Sequence, residues 1–170
     1  MIKKSPEISE KRLFSQQWMI NQQQRFKEVE NIKTAARAEI TPMDFAQFKL
    51  AGLMLYWAEG AKSMLVDFAN SDPRLISFMM RWFREVCLVP NDKFRFQLHL
   101  HGGQVEEEMK GFWSDLVKVP ISQFHKSFIK PEGTGHRKKR LYYGTLKIRI
   151  CNKNLLHKIM GWIEGVSLYG

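Results

Sequence analysis

Two groups of residues in this chain have types and spacings that could do chemistry. The first is a lone carboxylate, Glu59, which closes the stretch T-P-M-D-F-A-Q-F-K-L-A-G-L-M-L-Y-W-A-E-G from Thr41 to Gly60. An acid at the C-terminal turn of a helix meets the partial negative charge of that terminus and calls for a cation nearby. Two readings follow: a solvated glutamate beside a helix-ending glycine, or an oxygen ligand for a hard divalent cation. The second group is basic. In Lys93-Phe94-Arg95-Phe96-Gln97-Leu98-His99-Leu100-His101, polar and apolar residues alternate without exception, so a strand here buries Phe94, Phe96, Leu98 and Leu100. Its other face presents Lys93, Arg95, Gln97, His99 and His101, and Thr145 to Ile150 repeats the device with Thr145, Lys147 and Arg149. Arginine and lysine match the major-groove acceptors of guanine and glutamine matches adenine, so these faces suit base reading as well as phosphate contact. No acid stands on either stretch. His99 and His101 share a face, but no third metal ligand is identifiable beside them, which favours base or phosphate contact over a transition metal.

The elements that must position these groups are legible from their boundaries. Thr41, Pro42 and Asp44 supply an N-cap, a first-turn proline and an acid near the start of a helix that Gly60 ends, with small residues at Ala51, Gly52 and Ala58 that admit a second backbone. Leu65 to Asn70 reads as a strand, and Pro73 to Leu88, Gln104 to Val119 and Asn154 to Val166 read as helices. Gln123 to Lys130, with Lys126 and Lys130, reads as a further strand. Gly133 to Arg140 reads as a long connection whose Arg137, Lys138, Lys139 and Arg140 suit a phosphate backbone. Phe78, Trp82, Phe83, Phe112, Trp113 and Trp162 are expected in the core. The architecture expected is α+β: an antiparallel sheet with helices packed on one face and its basic side open.

Charge narrows the partner. The chain of 170 residues carries a formal net charge of +10, with a pI near 9.7. The excess is local: residues 123–153 hold nine Lys or Arg against Glu132 alone, whereas residues 1–40 hold eight against five acids. A localised excess is what a polyanion-binding face requires. Residues 1–40 read as a helical arm for docking or bracing a dimer, one long helix or two shorter ones, ahead of a domain spanning residues 41–170. Cys87 and Cys151 form no C-x-x-C pattern and are expected as buried thiols. No apolar run approaches a membrane span and no signal peptide is visible, so a cytoplasmic protein is expected. Serine-hydrolase, zinc-protease and P-loop motifs do not occur.

A series of short stretches goes further. Gly52-Leu53-Met54-Leu55-Tyr56-Trp57-Ala58-Glu59-Gly60 is followed by Lys62, Leu65 to Asn70, Ser71-Asp72-Pro73, Phe112-Trp113, Tyr143-Gly144-Thr145 and Gly161-Trp162-Ile163. In that order, over roughly residues 41–166, the series resembles the LAGLIDADG homing endonucleases, and within them small stand-alone LAGLIDADG-like proteins of bacteria and archaea. The acid–glycine pair that ends their signature matches Glu59 and Gly60. The chain departs from the pattern at Met54, where the family has a small residue, at Trp57, where an acid is often found, and in the short segment Ala61 to Met64, where the family has a long hairpin.

The resemblance implies a saddle-shaped sheet and a homodimer in which two signature helices pair at a twofold axis, with Gly52, Leu55 and Ala58 at the contact. It brings Glu59 from each chain over the centre of a bound duplex, where Mg2+ or another divalent cation joins the two carboxylates and activates water. Lys62, Gln97 and Lys147 are the candidates to stabilise charge or orient that water. Two activities are implied: a metal-dependent, site-specific endonuclease that hydrolyses phosphodiester bonds of double-stranded DNA, or a non-cleaving DNA-binding protein or regulator of the same fold. An RNA-binding splicing helper is a third.

Overall fold

Helix α2, Phe45–Glu59, starts later than Thr41 and Pro42 suggest, because Asp44 is its cap. The Asp44 carboxylate accepts from the Gln47 amide at 2.8 Å, and the Gln47 side chain accepts from the Asp44 amide at 3.0 Å. This reciprocal box satisfies two backbone donors and is worth about 1 kcal/mol. The structure, a computed structural model, describes residues 6–62, 64–130 and 142–169, with side chains from residue 16 onward.

The chain divides into two compact units, Met1–Met43 and Asp44–Gly170. In the first, helix α1 runs unbroken over Pro6–Glu39. Pairs one turn apart lace its polar surface, among them Gln17 to Asn21, Arg25 to Glu28 and Lys33 to Glu30. Trp18, Phe26 and Ile32, which recur at helical intervals, are exposed.

The second unit holds the sheet. Its elements after α2 are β1 (Val66–Asn70), α3 (Pro73–Glu85), β2 (Phe94–His101), α4 (Glu106–Val117), β3 (Phe128–Lys130), β4 (Thr145–Ile150) and α5 (Lys153–Tyr169). The strands lie in the order β1-β4-β2-β3. The α+β class is as expected, but the sheet is mixed: β4 runs antiparallel to both β1 and β2, whereas β3 runs parallel to β2. The cause is α4. A helical crossover between β2 and β3 lets the chain re-enter the sheet in the same direction, where a tight hairpin would have reversed it. The extended segment expected from Gln123 is shorter as well, since Ile121–Gln123 form a 3-10 turn and pairing with β2 becomes regular only at Phe128.

Alternation decides what each strand buries. Phe68, Phe94, Phe96, Leu98, Leu146 and Ile148 point to one side and are sealed there under α2, α3 and α5. Trp82 of α3 lies directly over Gly52. A β-carbon at Gly52 would stand 2.0 Å from the indole, whose Nε1 donates to the Lys49 carbonyl at 3.0 Å. Gly52 therefore serves a close contact with α3 inside its own chain. Phe83 and Trp113 are fully buried, while Phe78, Phe112 and Trp162 are half-buried against the same core. Gly144, entering β4, has a φ of +69° and comes so near β2 that a β-carbon would lie 2.7 Å from the His99 carbonyl oxygen, so no other residue fits without strain.

Cys87 is half-buried, and burial pushes its thiol up to about 12. Cys151 departs from expectation: it is exposed, because it follows the last residue of β4, where the chain turns into α5. Among the described residues no helix is long and apolar enough to cross a membrane.

Candidate nucleic-acid interface

The register of the sheet turns separate sequence stretches into rows on its uncovered face. Asp67, Arg149 and Arg95 stand opposite one another across β1, β4 and β2, and Ala69, Lys147 and Gln97 form the next row. His99 then faces Thr145 on one side and Phe128 on the other, and His101 faces Lys130. A cleft of about 390 Å³ opens on this face, lined by Phe96, Gln97, His125, Lys126, Lys147 and Arg149. Gln97 donates to the Lys126 carbonyl at 3.3 Å and so ties β2 to the segment leading into β3.

The face carries an acid, against the expectation of an unopposed basic surface. The Asp67 carboxylate accepts two hydrogen bonds from the Arg149 guanidinium, at 2.8 and 2.7 Å, and lies 2.9 Å from the Lys147 ammonium. Burial alone would raise its pKa, but the hydrogen bonds from Arg149 and Lys147 outweigh burial and hold it below the usual carboxylate value. Arg149 and Arg95, like charges directly opposite, would otherwise repel. Asp67 takes up one of them, and Arg95 turns back to donate to the carbonyl oxygens of Asp92 and Phe94, each at 2.7 Å.

Other expected contacts are distributed unevenly. Lys93 sits in a 3-10 turn just before β2 and pairs with Asp92 at 3.1 Å, so it stands off the strand face. His99, Lys126 and Lys130 are exposed and Gln97 is half-buried. Arg137, Lys138, Lys139 and Arg140 lie outside the described residues.

Glu59, the last residue of α2, is exposed and makes no hydrogen bond or ion pair with any described residue. The cation that its helix end calls for is Lys62, whose ammonium donates to the Gly60 carbonyl at 3.2 Å rather than to the Glu59 carboxylate. The same segment is stitched to the sheet edge: Gly60 bridges to Phe68, the Ala61 amide donates to the Asp67 carbonyl at 2.9 Å, and the Tyr56 hydroxyl donates to the Ala61 carbonyl at 2.6 Å. Gly60, Phe68, Ile148 and Phe96 thus form one row, and three strand spacings put Gly60 about 14 Å from Phe96. Glu59 and Lys62 stand together at the β1 edge. Gln97 is far from both within one chain, and Lys147 lies between, held by Asp67.

Of the three residues expected between paired helices, Ala58 is exposed, Leu55 is half-buried against its own core, and Gly52 is covered by Trp82. The outward side of α2 is carried instead by Leu50, Met54 and Ala58, with Leu50 48% and Met54 42% exposed. Among the described residues no group of three or more His, Cys, Asp or Glu side chains is placed to hold a metal ion.

Asp67, His125 and Phe128 are the members of this face that the sequence did not single out. Alternation in Val66-Asp67-Phe68 does assign Asp67 to the polar side of its strand. Its meeting with Arg149 depends on strand order, which alternation does not contain. No protein-family model, curated protein or solved structure matches the chain.

Proposed function

We propose that Asp44–Gly170 grips duplex DNA on its open sheet face and, as a homodimer of LAGLIDADG-like kind, hydrolyses phosphodiester bonds with a divalent cation at Glu59. The observation that carries this reading is the uncovered face itself. Lys147, Arg149, Lys126 and Gln97 line one cleft, with His99 and Lys130 exposed beyond it. Cations and an amide group around an open cleft suit phosphate oxygens and base edges.

Chemistry and grip fall at opposite sides of the sheet. Magnesium keeps several waters and is held by one or two carboxylates together with substrate phosphates, so an exposed carboxylate with no partner among the described residues fits its donor set. When bound, such a cation neutralises phosphate charge and lowers the pKa of its water. Glu59 is the acid at the end of α2, and a site shared by two such carboxylates therefore needs a second copy. The apolar outward side of α2, Leu50, Met54 and Ala58, is the surface for that pairing. Lys62 keeps a positive charge within three residues of Glu59 and can exchange its hydrogen bond to Gly60 for one to an incoming phosphate.

A non-cleaving DNA-binding protein is the second reading. It is favoured by Asp67, an acid of the neighbouring strand whose two oxygens are already committed to Arg149 and Lys147, so that it is not free to join Glu59. Incubating a randomised duplex library with wild-type protein and Glu59→Gln, with and without Mg2+, separates the two. Metal-dependent cuts lost in the variant are expected; equal retention of duplex by both proteins with no cuts would establish the binder, and no retention at all would remove DNA as the partner.

A further inference from the structure

The β3 edge of the sheet carries a feature that contact with paired DNA leaves unused. Phe128 stands directly opposite His99 across the parallel pair, with ring centroids 5.7 Å apart and planes tilted by 46°. Every other phenylalanine in the four strands, Phe68, Phe94 and Phe96, is turned into the core and sealed there. Phe128 is on the polar face and 55% exposed. Strand β3 is the outermost of the sheet among the described residues, and none of the described strands covers the ring from that side. Exposed lysines flank it at Lys126 and Lys130, and Lys126 lines the cleft that holds Lys147 and Arg149. An open aromatic ring between cations, beside an imidazole with polar edges, has the composition of a stacking platform for a nucleobase: the ring takes the face of the base and the lysines take the backbone.

We infer that this edge binds an unpaired nucleotide, so that the DNA the protein prefers carries a bulged, frayed or extruded base next to duplex. The inference rests on the DNA-binding reading given above. In a B-form duplex the faces of the bases are hidden in the stack, and only their edges are presented. Stacking one base on an aromatic side chain is worth roughly 5- to 100-fold in affinity. Extruding a paired base costs about as much as that or more, whereas a base that is already unpaired costs least. Phe128 therefore selects substrates in which the base is free rather than opening paired ones. His99, alongside, offers ring nitrogens to the polar edge of the stacked base. The platform is on β3, one strand beyond β2, so it acts four strand spacings, about 19 Å, from the segment that carries Glu59.

The test compares two labelled DNAs at one ionic strength: a fully paired mixed-sequence duplex, and the same duplex with one extra unpaired adenine. Binding of the full chain is measured by fluorescence anisotropy for wild type, Phe128→Ala and Phe128→Leu, the last retaining apolar bulk at the edge without a π face. Wild type is expected to favour the bulged duplex roughly 5- to 100-fold. Both variants are expected to lose that preference while binding the paired duplex as wild type does. Equal affinity of wild type for the two DNAs, or a preference that survives in both variants, overturns the stacking site and leaves duplex binding standing. Failure of wild type to bind either DNA overturns both readings at once.

Discussion

Strand β4 shows two regimes of constraint one residue apart. Leu146, Ile148 and Ile150 face the helices and are buried almost completely, while Thr145, Lys147 and Arg149 face outward and are half-buried. On the inner side, removal of apolar area from water holds the residue in place, and any atom lost leaves a void that close-packed neighbours fill only in part. On the outer side, what holds a residue is electrostatic and mutual: Asp67 fixes Lys147 and Arg149, and they in turn hold Asp67 ionised. The inner side is therefore sensitive to size and the outer side to charge. Function can change on the outer side without rebuilding the fold.

The sharpest break of this contrast is Ile148→Ala. Its side chain is fully buried, and the substitution is expected to cost about 2–5 kcal/mol, read as a lower urea midpoint at unchanged slope. A cost below about 1 kcal/mol would mean that the inner side is not close-packed. Next is the double variant Lys147→Ala/Arg149→Ala. It leaves the largely buried Asp67 carboxylate without either cation, so it is expected to lose stability as well as duplex affinity, by more than the two single losses added together. Strict additivity would separate the two cations and undo the idea of a shared carboxylate.

Each single variant, Lys147→Ala or Arg149→Ala, leaves the other cation on Asp67. Duplex binding should weaken roughly tenfold and the salt slope should fall by about 1, with the urea midpoint nearly unmoved. Unchanged affinity in both would remove the sheet face from DNA binding. The smallest effect, and one of opposite sign, is expected for Asp67→Asn, which frees both cations and should tighten duplex binding a few-fold in a titration at fixed salt. Because the folded state holds the Asp67 pKa below its unfolded value of about 3.9, the ionised pair stabilises the fold above that value. The contribution is lost as pH falls through the folded pKa. The stability gap between wild type and Asp67→Asn should be constant from about pH 5 upward and close below about pH 4; a gap unchanged at low pH would detach it from this carboxylate.

Regions whose structure follows from local rules were the ones legible in the sequence. Alternation over Phe94–His101 and Thr145–Ile150 assigned every side chain of β2 and β4 to its face, because side-chain direction in a strand has a period of two whatever the neighbours are. Helix α3 starts at Pro73 under an Asp72 cap, set by signals within a few residues, whereas the sequence left α1 open between one long helix and two shorter ones. The start of α2 was less legible, since Thr41 and Asp44 are both good caps and only Asp44 has Gln47 three residues on to complete the box.

What the sequence by itself determined is the identity of the faces: a buried apolar side, a polar side rich in lysine, arginine and glutamine, and a lone acid at the end of an apolar helix. Tertiary structure alone decided who meets whom across those faces. The order β1-β4-β2-β3 sets Asp67 against Arg149, 82 positions away in the chain, and puts Phe128 on an open edge beside His99. It also turns Gly52 inward to Trp82 and leaves Met54 and Ala58 outside. The physical reason is that alternation and capping act over a few residues. Strand order and helix facing are chosen by the packing of the whole core, in which contacts between distant segments compete for the same space.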